Sequence, residues 1–198
     1  MDTSLLLCIR VPADVSRLLQ EIEIPEGERS DPSDLHITLT YTKEGSVQAM
    51  GSMIATLLEA LKGTAPFPVY TSRIGTFPAT PHSDGKIPLI CKVDSNELHS
   101  LRAKIVNAFD NEGVDYSKNF PEYRPHLTLA YLEDRGQVHD DWSDHRIPTL
   151  SFGVNALTIL LGWQGRVVEV TVPLHLQKTA AQRLRVISRY LQCPGSTS

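Results

Sequence analysis

Two segments of this chain, ninety positions apart, repeat one another closely enough to constrain the whole fold. Asp34-Leu35-His36-Ile37-Thr38-Leu39-Thr40-Tyr41 is echoed by Arg124-Pro125-His126-Leu127-Thr128-Leu129-Ala130-Tyr131, with His, Thr, Leu and Tyr at the same offsets. β-Branched, aliphatic and aromatic residues make each segment read as a strand. Side chains alternate across a strand, so His36 and Thr38 share one face while Ile37, Leu39 and Tyr41 take the other. The second copy sorts identically: His126 and Thr128 against Leu127, Leu129 and Tyr131. By this rule both tyrosines belong to the core. A lone His-x-Thr is most simply a half-exposed surface pair. Two copies with matching flanks point instead to two strands lining one groove, where imidazoles can move protons and hydroxyls can hold phosphate oxygens.

Bulk properties permit such an enzyme and exclude several other classes. A chain of 198 residues, 41% hydrophobic and 21% charged, can build one domain with a proper core or two small lobes sharing one. A net charge of −4 argues against tight, non-specific binding to long duplexes, where phosphate neutralisation dominates affinity. A small nucleotide, an oligonucleotide or an RNA end suits that balance better. Cys8, Cys91 and Cys193 are odd in number and match no metal or redox spacing, so no disulfide framework is expected. There is no signal-peptide pattern and no apolar run near the ~18 residues of a membrane span, which makes a cytoplasmic protein without a membrane partner the expectation.

Periodicity places the remaining elements. Ser4–Val11 reads as a strand and Ala13–Ile22 as a short helix with Val15, Leu18, Leu19 and Ile22 on its apolar stripe. A polar loop over Pro25–Ser33 leads to the first motif. Val47–Leu61 and Ser95–Glu112 repeat the helical pattern and end at Gly63 and Gly113. Phe67–Arg73 and Ile87–Val93 read as strands joined by a Gly/Pro/Ser-rich connection. After the second motif come a polar loop, Glu133–Ile147, and two long strands, Leu150–Leu161 and Arg166–Leu176, joined as a hairpin through Gly162–Gly165. Each motif strand follows a strand–helix pair, so the chain reads as an internal duplication: two α+β lobes, each presenting one histidine strand to a shared cleft. Residues 1–177 form this single bilobal domain. Residues 178–198 are expected to form an amphipathic helix and a disordered end.

At the two motifs the chain resembles the 2H phosphoesterase superfamily, named for its paired His-x-Thr/Ser-hydrophobic signatures. That superfamily includes 2′-5′ RNA ligase-like proteins, cyclic phosphodiesterases of RNA ends, and phage enzymes that cut nucleotide signals. The resemblance extends over residues 4 to 175 in element order and is specific at the motifs, both of which are intact. It implies an α+β bilobal fold with two antiparallel sheets flanked by helices. It also implies a metal-independent phosphodiesterase acting on 2′,3′-cyclic phosphates, 2′-5′ linkages or cyclic oligonucleotides. His36, Thr38, His126 and Thr128 would be its catalytic set, and no cofactor is called for. The flanks of the motifs look phage-like, which brings degradation of nucleotide immune signals into view by analogy. The rival is a nucleotide-binding or virion-associated module that kept the fold without the chemistry.

Neighbouring residues supply weaker candidates. Asp34 and Arg124 lie two positions before each histidine; the first could orient an imidazole and the second neutralise phosphate charge, although surface residues at strand ends explain both. Phe77 could line the pocket or fill the core. The histidines and carboxylates of His139–His145 match no standard metal-ligand spacing and read as a solvated loop, so no metal site is expected. His82 and His99 are surface residues, and His175 is a structural histidine on the last strand. In the tail, Lys178, Arg183, Arg185 and Arg189 read as the charged face of a helix, either a basic surface for RNA or a partner or, more simply, the outer face of a helix packed on its own domain.

Overall fold

The computed structural model describes residues 3–24, 27–119, 122–133, 147–163 and 166–174. The chain builds β1 (Ser4–Arg10), α1 (Ala13–Gln20), β2 (Glu28–Arg29), β3 (His36–Thr42), α2 (Val47–Ala60), β4 (Phe67–Thr76) and β5 (Ile87–Asp94). It continues with α3 (Asn96–Glu112), β6 (His126–Leu132), β7 (Ser151–Val154), β8 (Ala156–Trp163) and β9 (Arg166–Pro173). The helices begin and end where the caps allow. Ser46 and Ser95 each accept a backbone N–H three residues on, from Ala49 at 3.0 Å and Leu98 at 3.2 Å. Gly113 closes α3 at φ +67°, a left-handed conformation that costs glycine nothing.

The strands form two antiparallel sheets. One has the order β3-β1-β8-β9 and the other β2-β6-β5-β4-β7. Read outward from the motif strands, the sequences of neighbours correspond: β3, β1, β8, β9 against β6, β5, β4, β7. The units β1–α1–β3 and β5–α3–β6 are therefore copies, as the duplicated motif requires, and β2 is an addition to the edge of β6. One apolar cluster joins the lobes, drawing Leu5, Leu7 and Ile9 from β1, Leu89, Cys91 and Val93 from β5, and Leu98, Leu101, Ile105 and Phe109 from α3. α2 lies against α3.

Three expectations are revised. The run Leu150–Leu161 is two strands in different sheets, because the alternation changes phase at Asn155. Phe152 and Val154 are buried at even positions, whereas Leu157, Ile159 and Leu161 are buried at odd ones. One straight strand cannot bury both sets on a single face, so the chain crosses from the β4 edge to β1 at that point. α1 stops at Gln20, and Leu18, which the helical stripe placed inside, is 46% exposed. The loop before the first motif contains the two-residue β2, too short for any periodicity to show. Cys8 and Cys91 are both buried and free. The Gly-containing turn at 164–165, the loop at 134–146, His175 and the tail fall outside the described residues. Among the described residues no helix is long and apolar enough to cross a membrane.

Candidate active site

The two motif strands are superposable in register as well as in sequence. Along β1 and β3, Arg10 stands opposite His36, Ile9 opposite Ile37, Cys8 opposite Thr38 and Leu7 opposite Thr40, leaving Leu39 as an extra residue. Along β5 and β6, Lys92 stands opposite His126, Cys91 opposite Leu127, Ile90 opposite Thr128 and Leu89 opposite Ala130, leaving Leu129 extra. Each motif thus carries a β-bulge at the same place, two residues on one strand facing one on its partner. The bulge re-aims the residues beyond it. Thr40 and Ala130 turn inward, while Tyr41 and Tyr131 return to the face of His and Thr and are half-exposed. The period-two rule had put both tyrosines in the core; it fails because it assumes an unbroken strand.

The bulge on β3 is held from the opposite lobe, and the bulge on β6 from the β2 edge of its own sheet. The Leu39 carbonyl accepts from Arg102 Nε of α3 at 3.2 Å, and the Leu129 carbonyl accepts the Ser30 backbone N–H at 2.9 Å. Arg102 also lies over the ring of Tyr123, 5.2 Å from its centroid, in the segment that leads into the second motif. Beneath the threonines the floor is apolar. Cys8 and Ile90 are fully buried yet belong to the layer outside the main core cluster, on the motif face of their strands. Burial pushes the Cys8 thiol up to about 12, so it stays protonated and inert.

The imidazoles are oriented by the same device twice. His36 Nδ1 lies 2.6 Å from the Asp34 carbonyl oxygen, and His126 Nδ1 lies 2.7 Å from that of Arg124. A carbonyl only accepts, so Nδ1 carries the hydrogen in both rings and Nε2 is the atom left to gain or lose a proton. Burial pushes both histidines below their ordinary value, against the opposing pull of these carbonyl bonds. The Arg10 guanidinium pushes His36 further down and the Asp34 carboxylate lifts it. For His126 the additional downward push is charge on His36 itself. β3 and β6 approach within 8 Å between Cα atoms, which brings the charge of one ring to bear on the other. Phe77, which leaves the end of β4, packs edge-on against His126 with centroids 4.7 Å apart and planes at 88°.

Asp34 and Arg124 contribute through their backbone. β3 and β6 begin at the histidines, and Asp34 closes a 3-10 turn, so strand alternation does not extend back to either residue. The Asp34 carboxylate lies 3.5 Å from Arg10 and is largely exposed; the Arg124 side chain pairs with Glu122 at the surface. Sequence reasoning missed Arg10, Lys92 and Arg102. The first two are cross-strand partners of the histidines, and nothing in the sequence gives a register. Arg102 sits at a half-buried position on α3, a site that the apolar stripe leaves unmarked.

Paired strands, paired bulges and paired histidine–carbonyl bonds make up the site, and comparison with known proteins identifies the family. The profile of the 2′-5′ RNA ligase superfamily matches residues 11–163. The chain belongs to the 2′-5′ RNA ligase superfamily, the 2H phosphoesterases. Solved structures with this fold include TT0787 of Thermus thermophilus, at TM-score 0.63 and 18% identity over 86% of this chain and 97% of that one. LigT of E. coli in complex with ATP matches at TM-score 0.56 and 16% identity, over 87% and 96%. Usb1 of Kluyveromyces marxianus matches at TM-score 0.56 and 9% identity, over 87% and 98%. No curated protein sequence matches the chain significantly.

Proposed function

We propose that this superfamily member is a metal-independent phosphodiesterase acting on small RNA-type phosphodiesters: a 2′,3′-cyclic phosphate, a 2′-5′ linkage or a cyclic oligonucleotide. The observation that carries the reading is the repeated histidine–carbonyl bond, which fixes both tautomers and leaves two equivalent Nε2 atoms for proton transfer. One imidazole, neutral, takes a proton from the attacking water or ribose hydroxyl. The other, protonated, delivers one to the leaving oxygen. The Thr38 and Thr128 hydroxyls, half-buried on the same faces, donate to the phosphoryl oxygens and hold charge that grows there in the transition state. Every step is completed by protein groups and water. LigT has been solved in complex with ATP and with 3′-AMP, which supports a substrate of nucleotide size.

The test is mass-resolved product analysis with excess EDTA. The protein and a His36→Ala/His126→Ala double variant would meet a panel of 2′,3′-cyclic mononucleotides, 2′-5′ and 3′-5′ oligoadenylates, and cyclic di- and trinucleotides. Cleavage by the parent alone is the expected result and identifies the substrate class. Ligand binding without turnover by the folded parent would favour a nucleotide-holding module instead. Activity abolished by EDTA would refute metal independence.

A further inference from the structure

The two half-sites share a cation position and employ it differently. Arg10 faces His36 across β1–β3, and Lys92 faces His126 across β5–β6. Directly opposed residues of an antiparallel pair share a face, with Cβ atoms about 4.5–5.5 Å apart, so each cation stands on the face of its histidine. Arg10 is engaged. Its Nη1 donates to the Ser33 carbonyl at 3.2 Å and lies 3.5 Å from Asp34 Oδ1, while Nη2 donates to Glu169 Oε2 at 3.2 Å. Two carboxylates therefore offset its charge. Lys92 is exposed and, among the described residues, has no carboxylate partner.

The position of the Lys92 side chain is also informative. Its stem is laid over Gly75 of β4, close enough that a Cβ there would sit 3.2 Å from Lys92 Cε and 3.8 Å from Nζ. Gly75 stands opposite Ile90, which stands opposite Thr128. The stem thus leans from β5 across β4, the neighbour on the side away from β6, at the level that Ile90 and Thr128 share, over a residue with no side chain to obstruct it. Its ammonium is a compact charge with three donors on a flexible chain, and it lies on the face where a phosphoryl group would be held.

We propose that Lys92 is the substrate-binding cation of the cleft, neutralising the phosphodiester charge and drawing the anion toward the β6 half. Arg10 is instead a structural clamp on the entry to the first motif. This inference rests on the phosphodiester reading of the site and adds a residue to it. The experiment is titration of the full chain with inorganic phosphate, followed by the imidazole Cε1–H NMR signals of His36 and His126, with thermal unfolding run alongside. Wild type is expected to show both signals moving with phosphate. Lys92→Met, unchanged in thermal midpoint, is expected to bind phosphate about tenfold more weakly, and Lys92→Arg within about threefold of wild type, the scale of one charge-assisted contact. Equal affinity in wild type and Lys92→Met would overturn the role given to Lys92 while leaving the site reading intact. Histidine signals that ignore phosphate in wild type would overturn the phosphodiester reading, and the role of Lys92 with it.

Discussion

Removing the Arg102 guanidinium tests whether the cleft is held from the opposite lobe. In Arg102→Met the apolar stem is kept while two interactions go: the hydrogen bond to the bulged Leu39 carbonyl at 3.2 Å and the cation–π contact with Tyr123 at 5.2 Å. A hydrogen bond involving a charged donor contributes about 1.5–3 kcal/mol, and a partly desolvated cation–π contact about 0.5–2 kcal/mol. Arg102 is only half-buried, which selects the lower end of both ranges, so the expected loss is about 2 kcal/mol. For a chain of this size that lowers Tm by roughly 4–8 °C, readable by calorimetry and by urea unfolding. A double-mutant cycle with Tyr123→Leu should return a coupling of about 0.5–1 kcal/mol for the cation–π part. The bulge sets the aim of His36 and Thr38 relative to Tyr41, so kcat should fall more than KM rises. A Tm within 1 °C of wild type, with kcat unchanged, would refute the idea that the lobes fix one another through this residue.

Four further outcomes are expected from the same geometry. Both histidines are held below the ordinary value of about 6.5, so the singly protonated pair dominates on the acid side of it. The pH profile of kcat/KM should be bell-shaped with its alkaline limb already falling at neutrality, and a maximum above pH 7 would contradict the assigned burial. The stability linkage has the matching sign: depressed folded values mean the histidine contribution is complete above about pH 6.5 and is lost as pH falls through those values. The Tyr123 hydroxyl is buried and without a hydrogen-bond partner among the described residues, so Tyr123→Phe should be neutral or stabilising by up to about 1 kcal/mol in chemical denaturation. A loss of 1 kcal/mol would disprove that account. On a diester with a p-nitrophenolate leaving group, which needs no protonation, the alanine variant of the acid histidine should lose at least about tenfold less activity than the variant of the base; equal losses would argue against separate roles.

The sequence carried the duplication and the four motif residues because both depend on identity and alternation, which are local. The end of α3 at Gly113 was legible for the same reason, through a left-handed glycine. The features that escaped depend on pairing. The bulges at Leu39 and Leu129 exist only relative to β1 and β5, and they reverse the face assigned to both tyrosines. The division of Leu150–Leu161 was present in the sequence as a phase change from Phe152/Val154 to Leu157/Ile159. Both phases are equally apolar, however, and a continuous strand is the simpler reading until a second sheet is there to receive one of them. Asp34 and Arg124 drew notice for their charge, whereas the atoms that touch the histidines are carbonyl oxygens, which every residue type possesses.

A duplicated scaffold solves one problem and creates another. Two copies of a strand with its bulge, histidine and threonine deliver two imidazoles in the same tautomer with no need for a second design. The proposed acid–base cleavage, however, needs the two rings in opposite protonation states at the same moment. Charge on His36 disfavours charge on His126, which already favours a single proton on the pair. Coupling alone does not decide which ring holds it. That choice falls to whatever breaks the symmetry: Arg10 with its two carboxylates beside one histidine, Phe77 and a lysine without a carboxylate partner beside the other. The shared geometry of the halves therefore sets what chemistry is available, and the divergent register partners set its direction.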